Sequence, residues 1–167
     1  MIKLLDFIDA LNRRIGSACA WLATAMVVVQ FAVVVSRYVF GVSSLMLQES
    51  LTYMFSVLFL IGAGYTLLQD GHVRVDIFYR TAPQSSKALV DFLGSLLFLM
   101  PCCILILFIS TPYVAASWAV LEGSKETSGI PGVFLLKSLI PAFAVLLLMQ
   151  GIANALRAWL ALRQGRG

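Results

Sequence analysis

The stretch IGSACAWLATAMVVVQFAVVVS, residues 15–36, carries no charged side chain. A helix needs about 20 consecutive apolar residues to cross the hydrocarbon core of a bilayer, so this stretch predicts a transmembrane helix. Three further stretches of similar length and apolarity follow along the chain. We therefore predict four spans, at about residues 15–36, 45–68, 88–110 with a helical extension to about 121, and 133–156.

The overall composition favours the same class of protein. Of the 167 residues, 60% are hydrophobic and only 12% are charged, whereas a soluble domain carries about 25% charged residues. The charged residues lie almost wholly between the apolar stretches. We therefore expect an all-α integral membrane protein, in which residues 1–167 form a single four-helix membrane domain with little mass outside the lipid.

The basic residues predict the orientation, because cytoplasmic loops carry an excess of Lys and Arg. With a cytoplasmic N-terminus, nine basic residues lie inside and three lie outside, so we expect both termini in the cytoplasm. The net charge of +4 then reflects basic flanks at an anionic lipid surface and needs no nucleic acid. The inner set is Lys3, Arg13, Arg14, Arg74, Arg80, Lys87, Arg157, Arg163 and Arg166, and the outer set is Arg37, Lys125 and Lys137.

The segment before the first span, MIKLLDFIDALN at residues 1–12, has its own apolar pattern. Ile2, Leu5 and Ile8 would share one face of a helix. This pattern is compatible with an amphipathic helix lying in the cytoplasmic interface and equally with the first turns of span one. The apolar run that follows is too long for a typical signal peptide, so we expect no cleaved signal.

Few side chains in the chain are suited to chemistry. The single histidine, His72, excludes a bis-histidine haem site and a histidine-rich metal site. Cys19, Cys102 and Cys103 fall inside predicted spans without the spacing of a metal motif. Span one offers Gln30 among its few deep polar groups, and no ionisable residue lies near the bilayer centre, where a transporter working alone would need one. We therefore expect no cofactor, no metal and no catalytic activity.

The second predicted span is the most polar of the four. Gln48, Thr52 and Ser56 recur every four residues and share one helix face. This stripe either packs the span against the other three or faces another membrane protein, because small and hydroxyl residues serve both contacts in lipid. Arg37 ends span one and Glu49 opens span two on the same side, so we expect them to pair, either to hold the hairpin or to form a site for a partner.

The connection after the second span orders its polar groups unusually. His72, Arg74 and Asp76 alternate with apolar residues. This alternation suggests a short extended or interfacial segment, which the predicted orientation places on the cytoplasmic side.

The connection between the third and fourth spans is the longest outer segment. Its charged residues Glu122, Lys125 and Glu126 make it the one sizeable outer face that we expect to be available to a soluble partner. Trp118 and Lys137 flank it. We expect both at the membrane interface, where tryptophan is enriched and lysine extends its ammonium towards water.

Short motifs in these segments match, in order and spacing, the pattern of a membrane protein family. They are RYVFG at 37–41, Glu49, Gly62-Ala63, GHVRVD at 71–76, Trp118, EGS at 122–124, SGIPG at 128–132 and KSLIP at 137–141. The family they resemble is the small membrane subunit of tripartite ATP-independent periplasmic (TRAP) transporters, and the resemblance covers nearly the whole chain. Many members carry a Trp and a second acidic residue just before the position of Glu49, where this chain has Leu45–Gln48.

The resemblance implies a division of work among three proteins in a bacterial or archaeal inner membrane. A periplasmic binding protein captures an organic acid or related solute. A large multi-span subunit carries the solute inward by an elevator-like motion coupled to a sodium gradient. The small, non-catalytic subunit braces the stationary part of the large subunit and helps to receive the binding protein. The chain lacks a mid-membrane site, which fits this division because that site would belong to the large subunit.

Within this implied arrangement the candidate contact residues form three sets. The set for the large subunit is Arg37, Gln48, Glu49, Thr52 and Ser56. The set for the binding protein is Glu122, Lys125 and Glu126, and the set that orders the cytoplasmic side is His72, Arg74 and Asp76.

Two functions of other classes remain as alternatives. In the first alternative, the chain is the membrane anchor of an unrelated complex. In the second, it is a standalone homo-oligomeric transporter or channel. The second alternative needs a pore lined by Gln30, Thr52 and Ser56 from several copies. The identity of the transported substrate is not readable from the chain, because under the resemblance it resides in the other two proteins.

Overall fold

The computed structural model describes residues 2–72, 79 and 81–164, and every regular element in that part of the chain is a helix. Two of the predicted spans contain a single π-helical turn between α-helical segments. The elements are α1 (Ile2–Tyr38), α2 (Leu45–Ser56), a π turn (Val57–Ile61), α3 (Ala63–Leu68), α4 (Gln84–Gly94), a π turn (Ser95–Leu99), α5 (Met100–Ala119) and α6 (Val133–Gln164).

Among the described residues, four helical runs are long and apolar enough to cross a membrane, which confirms the predicted all-α class with four spans. The runs alternate in direction. The connections 39–44 and 120–132 therefore lie at one end of the bundle, here called the loop end. The start of α1 and the end of α6 lie at the other end, here called the terminal end. The runs are Lys3–Tyr38, Leu45–Leu68, Gln84–Ala119 and Val133–Arg163.

The fourth span, α6, is the centre of the bundle. It packs against all three other spans, and the first span packs along the second. The second and third spans make little direct contact with each other and both lie on α6. Over the most apolar 18 residues of each span, 17% of the residues in the fourth span are buried within the chain, against 0% of those in the first. Most of α1 is therefore left for lipid or for another protein.

The N-terminal segment is a continuous part of α1. A helix of 37 residues is about 55 Å long, whereas the hydrocarbon core is about 30 Å thick, so α1 extends well beyond it. Leu5 and Ile8 are buried against Ala153 of α6. The residues that we considered either as an interfacial helix or as the start of span one are thus the first turns of α1, docked on the fourth span.

Glycine allows the closest approaches between helices. A Cβ atom on Gly64 of α3 would lie 2.4 Å from the Oδ1 atom of Asn12 of α1, and a Cβ atom on Gly16 would lie 2.4 Å from the ring of Tyr65. Small residues at such contacts let helix backbones approach in lipid, where van der Waals packing drives association. These two glycines therefore set the distance between the first and second spans.

Candidate functional site

The loop-end connection 120–132 is held down by a carboxylate from the second span. Glu49 accepts hydrogen bonds from Ser124 Oγ at 2.5 Å and from the backbone N–H of Ile130 at 2.6 Å. Hydrogen bonds to a charged acceptor are stronger than those between neutral groups. One side chain at the start of α2 thus organises both halves of a loop that follows it by more than seventy residues.

The loop sequence has local reasons to fold this way. Leu121, two residues after the end of α5, takes a left-handed backbone conformation with φ of +45°. Ser124 N–H donates to Ile130 O at 3.2 Å, which closes the loop on itself. A Cβ atom on Gly129 would lie 2.2 Å from Ser124 Oγ and 2.7 Å from Glu49 Oε1. Only glycine therefore fits beside the carboxylate.

A second cluster joins the same loop to the fourth span. Glu122 Oε2 accepts from Lys137 Nζ at 2.5 Å and from Ser117 Oγ at 2.7 Å. The ammonium of Lys137 also lies 4.2 Å from the centre of the Tyr113 ring. The hydrogen bond from Lys137, followed by that from Ser117, holds the pKa of the Glu122 carboxyl below its ordinary value. Glu122 is therefore ionised at neutral pH and neutralises the one cation near it on α6.

Trp118 completes the packing of this end. Its Nε1 atom donates to Ser138 Oγ at 2.8 Å, and its ring meets that of Phe134 edge-on, with centroids 4.7 Å apart. Its side chain is still 46% exposed. The loop, α5 and α6 thus form one connected surface, here called the loop-end cap (residues 117–138 with Glu49).

The expected pairing of Arg37 with Glu49 is wrong. Arg37 is exposed, and no hydrogen bond or ion pair joins the two side chains, although both are described. The oxygens of Glu49 are taken by Ser124 and Ile130 instead. Sequence proximity favoured the arginine across a short hairpin, but the fold brings a more distant loop to the carboxylate.

The polar stripe of the second span is mostly satisfied within the chain. Gln48 Nε2 donates to Ser43 Oγ at 3.0 Å, and Ser56 Oγ donates to Thr52 O at 2.7 Å within its own helix. Thr52 itself is exposed. Of these side chains, Thr52 is the one most open to a second protein.

The three charged residues assigned to the binding protein differ in their surroundings. Lys125 and Glu126 are exposed, whereas Glu122 faces inward to Lys137. Lys137 extends its ammonium to the loop, where Glu122 binds it. In the connection after the second span, His72 is exposed, and Arg74 and Asp76 lie outside the described residues.

Sequence reasoning missed a polar network at the terminal end. Asn12 Nδ2 donates to Gln150 Oε1 at 2.8 Å, and both side chains are 0% exposed. Gln150 Nε2 donates to Asn154 Oδ1 at 3.2 Å, and Arg157 pairs with Asp9 at 2.6 Å. The signal was present, since these residues recur at three- and four-residue spacing on α1 and α6 and so share one face of each helix.

A comparison of the sequence with protein-family models gives a match over most of the chain. Residues 26–161 match the family model described as tripartite ATP-independent periplasmic transporters, DctQ component. The match includes the whole of the second and third spans, nearly all of the fourth, about the last third of the first, and the whole loop-end cap. No curated protein sequence matches the chain. With four membrane-spanning helices and a family match over most of its length, the chain belongs to the DctQ family, the small membrane components of tripartite ATP-independent periplasmic transporters.

Proposed function

We propose that the chain is a non-catalytic brace for the large membrane subunit of a TRAP transporter. Proteins of the DctQ family work with such a subunit and with a substrate-binding protein. In this proposal the transporter takes up an organic acid or related solute with sodium, and the chain lies in the inner membrane with both termini in the cytoplasm. The distribution of basic residues supports this orientation.

The observation that carries the proposal is the position of Gln30. It lies on α1 well inside the apolar run 15–36, its side chain is exposed, and no described residue of the chain hydrogen bonds to it. An amide that faces hydrocarbon without a partner is costly, and interhelical hydrogen bonds are the usual remedy in membranes. A polar group on another membrane protein would satisfy Gln30, so this face of α1 suits a membrane partner.

The loop-end cap supports the second part of the proposal, the reception of a binding protein. Glu49 and Ile130 hold the loop in one conformation, while Lys125 and Glu126 project from it into solvent. A loop that is ordered before binding loses less conformational entropy when a partner docks. The exposed charges are suited to steering a soluble protein to the membrane surface.

Photo-crosslinking from two matched positions tests the brace. Phe31 of α1 is 68% exposed and lies one residue from Gln30, and Phe108 of α5 is 79% exposed on a different span. Each phenylalanine is replaced in turn by the photo-reactive benzoylphenylalanine in the native host. We expect position 31 to crosslink to one much larger membrane protein and position 108 to give lipid adducts only.

The same experiment separates the alternatives. A crosslink from position 31 to a second copy of the chain would contradict the brace and favour a homo-oligomeric pore. A crosslink to a large protein from position 108 alone would place the partner on the third span and contradict the role of the Gln30 face. Equal incorporation at both positions, measured by mass spectrometry, is the control for expression.

A further inference from the structure

A groove runs between the second and third spans at the terminal end. Because these two spans pack on α6 and make little contact with each other, α6 forms the floor of the groove. Its volume is about 770 Å³, within the range of about 300–1,000 Å³ that is common for sites of small molecules. The π turn Ser95–Leu99 contributes Ser95 and Leu99 to one wall. Such single π turns are frequent at functional sites.

The lining of the groove changes in character along its length. Leu99 and Leu147 line its deeper part, whereas Arg157, Asp70 and Asp91 line the part nearer the terminal end. On α6, the step from residue 147 to residue 157 corresponds to about 15 Å along the helix axis. The groove is therefore amphipathic, with apolar residues towards the middle of the membrane and charged residues towards its surface.

The length of the groove matches one leaflet of a bilayer. It extends along the third span from Gln84 to Leu99, which is about 22 Å of helix. Half of a bilayer with its headgroups is about 20–22 Å thick.

Arg157 is suited to a phosphate group at the open end. One of its terminal nitrogens donates to Asp9 at 2.6 Å and the other to Asn154 at 3.4 Å. These contacts orient a guanidinium that has five N–H donors, and its side chain is still 38% exposed. Arginine binds phosphate in bidentate fashion. Asp70 and Asp91 lie on the same rim, where Asp91 Oδ2 accepts a hydrogen bond from the Tyr79 hydroxyl at 2.7 Å.

We propose that this groove holds one phospholipid of the leaflet at the terminal end. An acyl chain lies along Leu99 and Leu147, and the phosphate lies at Arg157, as in phosphatidylethanolamine. A lipid in this place fills the gap that the described side chains leave between the second and third spans.

Native mass spectrometry of the full chain, extracted in mild detergent and supplied with palmitoyl-oleoyl-phosphatidylethanolamine, tests the proposal. Gly94 lines the groove, and a Cβ atom placed there has no neighbour within 4 Å, so Gly94→Phe should fill the space without a clash at the backbone. We expect one lipid per wild-type chain and an occupancy lower by about tenfold in Gly94→Phe. Ser95→Leu, at the adjacent lining position, should reduce occupancy in the same direction.

Two controls keep the result specific. Cys102→Phe adds the same ring to an exposed position of the third span and should leave occupancy unchanged. A diacylglycerol with the same acyl chains lacks the phosphate and should bind about tenfold more weakly. Equal lipid retention by wild type and both groove variants, at unchanged unfolding temperature, would overturn the proposal, as would a wild-type chain that retains no lipid.

Discussion

Replacing Gly64 with alanine is expected to lower the free energy of unfolding by about 1–3 kcal/mol, the usual cost of overpacking an interior. The new Cβ atom would lie 2.4 Å from Asn12 Oδ1. Asn12 is completely buried and cannot move away without losing its hydrogen bond to Gln150. Thermal unfolding in detergent, followed by tryptophan fluorescence, measures the effect as a lower midpoint temperature.

Gly94→Ala is the matched control for this prediction. Gly64 lies in the second span and Gly94 in the third. A Cβ atom at Gly94, however, would have no neighbour within 4 Å. Alanine is favoured over glycine in a helix by about 0.5–1 kcal/mol, so the midpoint should stay the same or rise slightly. An equal decrease of the midpoint temperature in both variants would show that the close approach of Gly64 to Asn12 does not determine the stability.

Replacing Glu49 with alanine is expected to release the loop-end cap and to reduce both assembly with the large subunit and solute uptake. The substitution leaves Ser124 Oγ and the Ile130 N–H without their acceptor, and a donor that loses its partner in a packed site is destabilising. Limited proteolysis should then cut the connection 120–132 faster than in the wild type. Recovery of the large subunit with the tagged chain should fall in parallel.

Glu126→Ala is the control on the same loop. The Glu126 side chain is exposed, and the hydrogen bonds of this residue use its backbone, so the rate of proteolysis and the recovery of the large subunit should match the wild type. If Glu49→Ala left both the cleavage rate and the recovery of the large subunit unchanged, Glu49 would neither hold the connection 120–132 nor contribute to assembly.

The four spans were predictable because length and apolarity alone determine them. Residues 15–36 hold no charge, and a spanning helix satisfies its own backbone groups, so no long-range contact was needed to place it. The motifs that carry the family resemblance were also readable, since each is a short run of residues. Of these motifs, Glu49, Trp118, EGS at 122–124 and SGIPG at 128–132 lie together in the loop-end cap.

The partners of individual polar residues were not predictable in the same way. Glu49 had a cation nearby in sequence, and the pairing rule favoured Arg37. Ser124 and Ile130 reach it instead because α6 packs against both the second and the third span. Asn12 and Gln150 lie 138 positions apart, and each alone reads as an ordinary polar residue near the end of an apolar run. Only the crossing of α1 and α6 shows that they are one buried pair.

The most direct test of the central claim is to tag the chain in its native host, extract it in mild detergent and identify by mass spectrometry what remains bound. The account predicts one stoichiometric, much larger multi-span membrane protein, retained by the wild type and by Glu126→Ala and lost in part from Glu49→Ala. A homo-oligomer of the chain that contains no larger membrane protein would contradict it.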